Sequence, residues 1–196
     1  MAQSRIRAVL VVVALTAVMW LLQISRMLVP WDAASLGIWP RETDSFATIL
    51  TSPFIHANWA HLLANTVPLL VLGALVAFSG LGRFAAASII IVLVSGLGVW
   101  LISPAGVPTV GASGLIFGYF GYLVLRGIIE RKVMDIVIMI CVVLFYGGLI
   151  FGVLPQEGPI SWQGHLFGFL GGLLAAYVLP RRERTAIRQS PYPRPY

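Results

Sequence analysis

Residues 111–121 read Gly111-Ala112-Ser113-Gly114-Leu115-Ile116-Phe117-Gly118-Tyr119-Phe120-Gly121, and residues 164–172 read Gly164-His165-Leu166-Phe167-Gly168-Phe169-Leu170-Gly171-Gly172. Each stretch opens an apolar run and carries glycines four apart: Gly114 and Gly118 in the first, Gly164, Gly168 and Gly172 in the second. Positions four apart share a helix face, and glycines on that face let two backbones touch. The two stretches therefore predict a pair of helices packed backbone to backbone. Their starts lie together, with Ser113 beside His165.

The surrounding composition says where those helices sit. The 196 residues are 59% hydrophobic and 10% charged, with mean hydropathy +0.92. A soluble domain carries about a quarter charged residues, so a polytopic membrane protein is expected, an all-α helix bundle. A span needs about 20 apolar residues. Six candidates satisfy this: Ala8 to Val29, Trp59 to Phe78, Phe84 to Ile102, Ala112 to Ile129, Val133 to Leu154 and Gln163 to Leu179. The first is too long in its apolar core for a signal peptide and is read as a retained helix. Residues 1–180 then form one six-span unit. Residues 181–196 form a basic tail with Pro191, Pro193 and Pro195, too polar for a core and expected to be disordered.

The net charge of +6 does not point to nucleic acid, because of where the charges fall. Arg5, Arg7, Arg83, Arg126, Arg131, Lys132 and the five arginines of the tail lie on one side of the six-span plan; Arg26 and Arg41 lie on the other. By the positive-inside rule both termini are cytoplasmic, and the tail meets anionic lipid. Arg126 lies inside the fourth span and is expected to snorkel to the inner surface, which sets Ser113 below the outer headgroups. Cys141, the one cysteine, lies in an apolar run and supports neither a disulfide nor a metal site.

This orientation brings polar groups to one level. His56, His61 and Asn65 mark the start of the second span, Ser113 the start of the fourth and His165 the start of the sixth. Ionisable groups within membrane spans are costly and mark function by default. Each also has a plainer reading. Ser113 fits an N-cap or a small packing residue as well as a nucleophile. His165 fits an interhelical hydrogen bond as well as a general base. His56, His61 and Asn65 offer nitrogen and oxygen ligands, but without the carboxylate or third close histidine of a catalytic zinc site. Alternatively, Asn65 and His61 donate to a developing oxyanion together with the Ser113 N–H.

Taken together, His56-x4-His61-x3-Asn65, Gly111-Ala112-Ser113-Gly114 and Gly164-His165-x2-Gly168-x3-Gly172 resemble the rhomboid intramembrane serine proteases in order, spacing and span. The resemblance covers about Ala8 to Leu179 and fits the minimal six-helix bacterial form. It implies Ser113 as nucleophile and His165 as base. Asn65, His61 and the Ser113 amide would hold the oxyanion, with His56, Gly111, Gly114 and Phe117 in support and Gly118, Gly168 and Gly172 in helix packing. It implies transmembrane segments of other proteins as substrates, movement of the fifth span or the cap to admit them, no metal or other cofactor, and a bacterial plasma membrane. Where many members carry tyrosine four residues after the nucleophile, this chain has Phe117. Their Trp-Arg pair in the first outer loop is replaced by Trp31, Trp39, Pro40 and Arg41, expected to seat that loop in the interface. Two other readings stand beside this one: an inactive rhomboid-like protein that binds transmembrane segments, and a small transporter, which the absence of a mid-membrane acid disfavours.

Overall fold

A computed structural model describes residues 2–158 and 160–179; the expected tail at 181–196 lies outside the described residues. Six α-helices follow in order: α1 (Ala2–Leu28), α2 (Trp59–Ala77), α3 (Leu81–Ile102), α4 (Ser113–Glu130), α5 (Val133–Tyr146) and α6 (Trp162–Val178). Among the described residues the extended structure is one isolated bridge, Ile38 with Thr109. Five spans are long and apolar enough to cross a membrane, the fifth being α5 with its continuation to Val153. α6 has 17 residues, roughly 26 Å at the helical rise. The protein is a multi-pass membrane helix bundle.

α4 is the centre, and glycine explains how closely its neighbours approach. A Cβ on Gly168 would collide with the Gly114 carbonyl oxygen, and one on Gly172 with the Gly118 carbonyl. A Cβ on Gly121 would stand 2.7 Å from the Phe169 carbonyl oxygen. The α4–α6 contact is therefore backbone on backbone, as the four-residue spacing predicts. The spacing left α3 out, yet α3 completes this core. Ile91 fills the space over Gly118 and its Cα lies 3.1 Å from a Cβ placed on Gly171, while Phe167 of α6 fills the space over Gly98. Ser95 of α3 donates to the Gly164 carbonyl at 2.9 Å and sits over Gly114.

The fifth span runs from Val133 to Val153, close to its expected bounds, but not as one α-helix. Its α-helix stops at Tyr146, and Gly147–Val153 continues as a 3-10 helix. Two glycines at 147 and 148 weaken an α-helix by about 1 kcal/mol each, and a 3-10 turn tightens the chain where it ends. Hydropathy cannot register that change, because both forms are equally apolar. Of α5 only Asp135 and Val142 are buried, and Cys141 is exposed on its outer face.

The end of the bundle opposite Ser113 is tied by charge. Arg83 pairs with Glu130 at 2.8 Å and Arg126 with Asp135 at 3.1 Å; Arg126 also meets Ser79. At this end of the bundle Arg126 also lies 3.6 Å from Glu130, one turn on. Its charge is matched inside the protein, between the ends of α2, α4 and α5, because an acid from α5 reaches it. The Ser4 hydroxyl accepts the Leu81 N–H at 3.0 Å, joining the starts of α1 and α3.

Candidate active site

The site is built where α2, α4 and α6 begin. Asn58 caps α2 by accepting the His61 N–H, and Ser161 caps α6 by accepting the Gly164 N–H. α4 has no side-chain cap: Ala112, which precedes Ser113, accepts the Ile116 N–H through its carbonyl but offers the first turn no side-chain acceptor. The first N–H groups of α4 are thus open, at the positive end of the helix dipole. Such donors suit an oxygen that gains negative charge.

Gly111 sets the approach to that helix. Its φ of +119° is available to glycine and strained for other residues. A Cβ there would stand 2.6 Å from His61 Cε1 and 2.7 Å from Nε2, and 3.8 Å from Asn65 Nδ2. His61 and Asn65 therefore share one face of α2 and are turned toward the residues before Ser113. The Gly111 N–H donates to the Ser52 carbonyl at 2.9 Å, which pins the turn to the first outer loop. Asn65 donates one amide hydrogen to the His61 carbonyl at 3.0 Å, leaving the second.

His165 is buried in α6 and held on two sides. Its ring stacks on Phe117, with centroids 4.0 Å apart and planes within 8°. Nδ1 lies 3.0 Å from the Gly152 carbonyl oxygen. A carbonyl only accepts, so in the neutral ring Nδ1 carries the hydrogen and Nε2 the lone pair. Nε2 and the Ser113 hydroxyl make no hydrogen bond among the described residues. Ser113 is half-buried. It borders a partly open cavity of about 30 Å³, lined by Ser52, Ser95 and Ser161 together with apolar residues such as Val99 and Leu115, large enough for a water molecule.

His56 sits just before α2, 1% exposed, with its ring edge-on to His61 at a centroid distance of 5.0 Å. Neither ring nitrogen has a hydrogen-bond partner of good geometry. Burial, then the neighbouring His61, pushes its pKa from 6.5 down to about 4, weakly opposed by the Phe54 backbone. Among the described residues no cluster of His, Cys, Asp and Glu forms a metal site.

Four contributors escaped the sequence reading. Gly152, Ser95 and Arg26, whose Nη1 donates to the His56 carbonyl at 2.8 Å, act through backbone carbonyls distant in sequence, which leave no local pattern. Ser161 had a signal, a serine three residues before the N–H it caps. In the first outer loop two tryptophans and Arg41 make specific hydrogen bonds. Trp39 donates to the Ala34 carbonyl at 2.9 Å and Trp31 to Ser25 Oγ at 3.1 Å. Arg41 holds the Ser103 carbonyl at 2.8 Å, near the end of α3.

The family profile described as Rhomboid domain matches residues 43–182. An uncharacterized protein of Mycobacterium tuberculosis is 49% identical over 158 residues, 76% of this chain; the chain spans 66% of that relative's length. An uncharacterized protein of Mycobacterium leprae is 40% identical over 185 residues, 89% of this chain and 73% of the relative. Rhomboid protease GluP of Bacillus subtilis is 32% identical over 138 residues, 67% of this chain and 25% of the relative.

Proposed function

The chain belongs to the rhomboid family, and on that premise we propose that it is an intramembrane serine endopeptidase acting through a Ser113–His165 dyad. Its substrates are transmembrane segments of other membrane proteins. The observation that carries this reading is the commitment of His165 Nδ1 to the Gly152 carbonyl, which leaves Nε2 as the base. The carbonyl takes the orienting place that a carboxylate fills in a triad, so no acid is required.

Ser113 Oγ attacks the scissile carbonyl carbon while its proton passes to His165 Nε2. The carbonyl oxygen becomes an oxyanion beside the open N–H groups of α4, with Asn65 and the His61 ring as further donors. Collapse breaks the C–N bond, and the leaving amine takes the proton from His165. A water then adds to the acyl-enzyme by the same steps in reverse roles, releasing the acid and restoring Ser113. Loss of one such oxyanion donor costs about 10²–10³ in rate; Asn65→Ala falls below that range where His61 and the backbone compensate.

The site opens on the outer side of a bacterial plasma membrane, with both termini cytoplasmic and the basic arginines at the inner lipid surface. This orientation rests on the distribution of Lys and Arg.

The test is fluorophosphonate labelling of the detergent-purified chain, alongside cleavage of a model transmembrane substrate. Labelling and cleavage by the wild type, lost in Ser113→Ala and His165→Ala, are expected. A folded wild type that neither labels nor cuts returns the chain to the inactive, segment-binding reading.

A further inference from the structure

We propose that Arg26, in the last turn of α1, is a positioning residue for His61, acting through His56. This rests on the oxyanion role given to His61 above.

Arg26 is one of two basic residues on the side of the membrane that carries Ser113 and His165, and its side chain turns into the protein. Nη1 donates to the His56 carbonyl oxygen at 2.8 Å. The guanidinium is itself held: Nη1 lies 3.5 Å from Gln23 Oε1, and its carbon stands 5.9 Å from the centre of the Trp31 ring. Trp31 is fixed in turn by its bond to Ser25. A planar fork braced by packing holds a bond direction that a flexible ammonium does not.

The acceptor needs this hold. Residues 55–58 have no regular structure. The His56 ring has no hydrogen bond of its own, so packing and the backbone alone place it. Arg26 ties that backbone to α1 across 30 residues of sequence. His61 then lies between two fixed surfaces: the His56 ring on one side and Gly111 on the other. If the 55–58 segment shifts, the first surface shifts and the His61 ring rotates away from the start of α4. The sequence offers no hint of this, since an arginine at a helix end ordinarily reads as an interface anchor.

Misplacing a donor costs less than deleting one. Arg26→Gln is expected to lower kcat on a fluorogenic transmembrane peptide about tenfold, against about 10²–10³ for loss of a donor, with KM changed less than about twofold. Arg26→Lys, which can still donate to the carbonyl but does not hold its direction, recovers part of the rate. The deciding experiment places Arg26→Gln in wild-type and His61→Ala full-length protein and follows both kcat and the rate of Ser113 fluorophosphonate labelling. Arg26 acting through His61 makes the substitution nearly silent in the His61→Ala background. The same fold loss in both backgrounds, a change confined to KM, or a loss that follows a fall in thermal midpoint overturns the proposal; should Arg26→Gln not fold, an inactive but folded Arg26→Lys does so. A wild type that fails to label brings down the proposed function itself, whereas a labelled wild type matched by Arg26→Gln removes only Arg26.

Discussion

The Nδ1 atom of His165 and the carbonyl oxygen of Gly152 lie 3.0 Å apart, joining α6 to the 3-10 segment that ends the fifth span. The break in that span therefore supplies the group that sets the histidine tautomer. The Gly152 carbonyl has no helical donor there, because the residue three positions on is Pro155, which carries no N–H.

Gly152 is the position that tests this directly. A Cβ there would stand 2.7 Å from Phe117 Cζ and 3.3 Å from His165 Nδ1, so alanine must displace one ring or the carbonyl. Gly152→Ala is expected to lower kcat by roughly 10–10²-fold, less than the loss of the whole general-base contribution of about 10²–10⁴, in protein that keeps its detergent thermal midpoint within a few degrees. Unchanged kcat would mean the carbonyl bond has no part in orienting His165.

Phe117 bears on the same ring from below. Its stack with His165 fixes the imidazole plane, a contact worth about 0.5–1.5 kcal/mol beyond buried area. Phe117→Ala should slow Ser113 labelling by roughly tenfold or more, since small misplacements of a catalytic group are expensive. Phe117→Tyr should not raise the rate above wild type. The hydroxyl would be added at Cζ, the atom that a Cβ on Gly152 would approach to 2.7 Å, so it is expected to crowd the 3-10 segment that holds His165. Faster labelling by Phe117→Tyr would show that this site lacks a tyrosine hydroxyl rather than excluding one.

The helix contact can be probed by one substitution made in two places. Gly172→Ala drives a methyl into the Gly118 carbonyl, whereas a Cβ on Gly82 meets nothing within 4 Å. Overpacking costs about 1–3 kcal/mol or more, while alanine for glycine in an open helical position gains about 0.5–1 kcal/mol. The thermal midpoint should fall for Gly172→Ala and hold or rise for Gly82→Ala. A harmless Gly172→Ala would mean α4 and α6 can separate freely.

Legibility of this protein in its sequence follows the range of the physics. Glycines four apart report a shared face within one helix, so the α4–α6 seam could be read from Gly114, Gly118, Gly168 and Gly172. Long apolar runs report spans, so the starts of α2, α4 and α6 fall within one residue of expectation. Contacts made through carbonyls carry no residue preference, and Gly152, Ser95 and Arg26 were hidden for that reason. The pairing of Arg126 with Asp135 was hidden because that partner lies on another helix, and charge pairing across helices is invisible to a window that reads one span at a time. The transition at Gly147 was hidden by uniform hydropathy.

His56 makes the stability of the fold depend on pH. Folded, it resists protonation until about pH 4; unfolded, it binds a proton below its ordinary 6.5. Between those values the unfolded chain holds more protons than the folded one, so stability rises with pH there. The contribution is whole above pH 6.5 and is lost progressively as pH falls toward 4. Because neither ring nitrogen has a hydrogen-bond partner of good geometry, phenylalanine keeps the ring and forfeits only the weak contact with the Phe54 backbone. His56→Phe should gain on the wild type step by step as the buffer goes from pH 7 to pH 4, read as the difference in thermal midpoint between the two proteins in one detergent. A difference that stays constant over that range would assign the acid sensitivity to another group and remove His56 as its source.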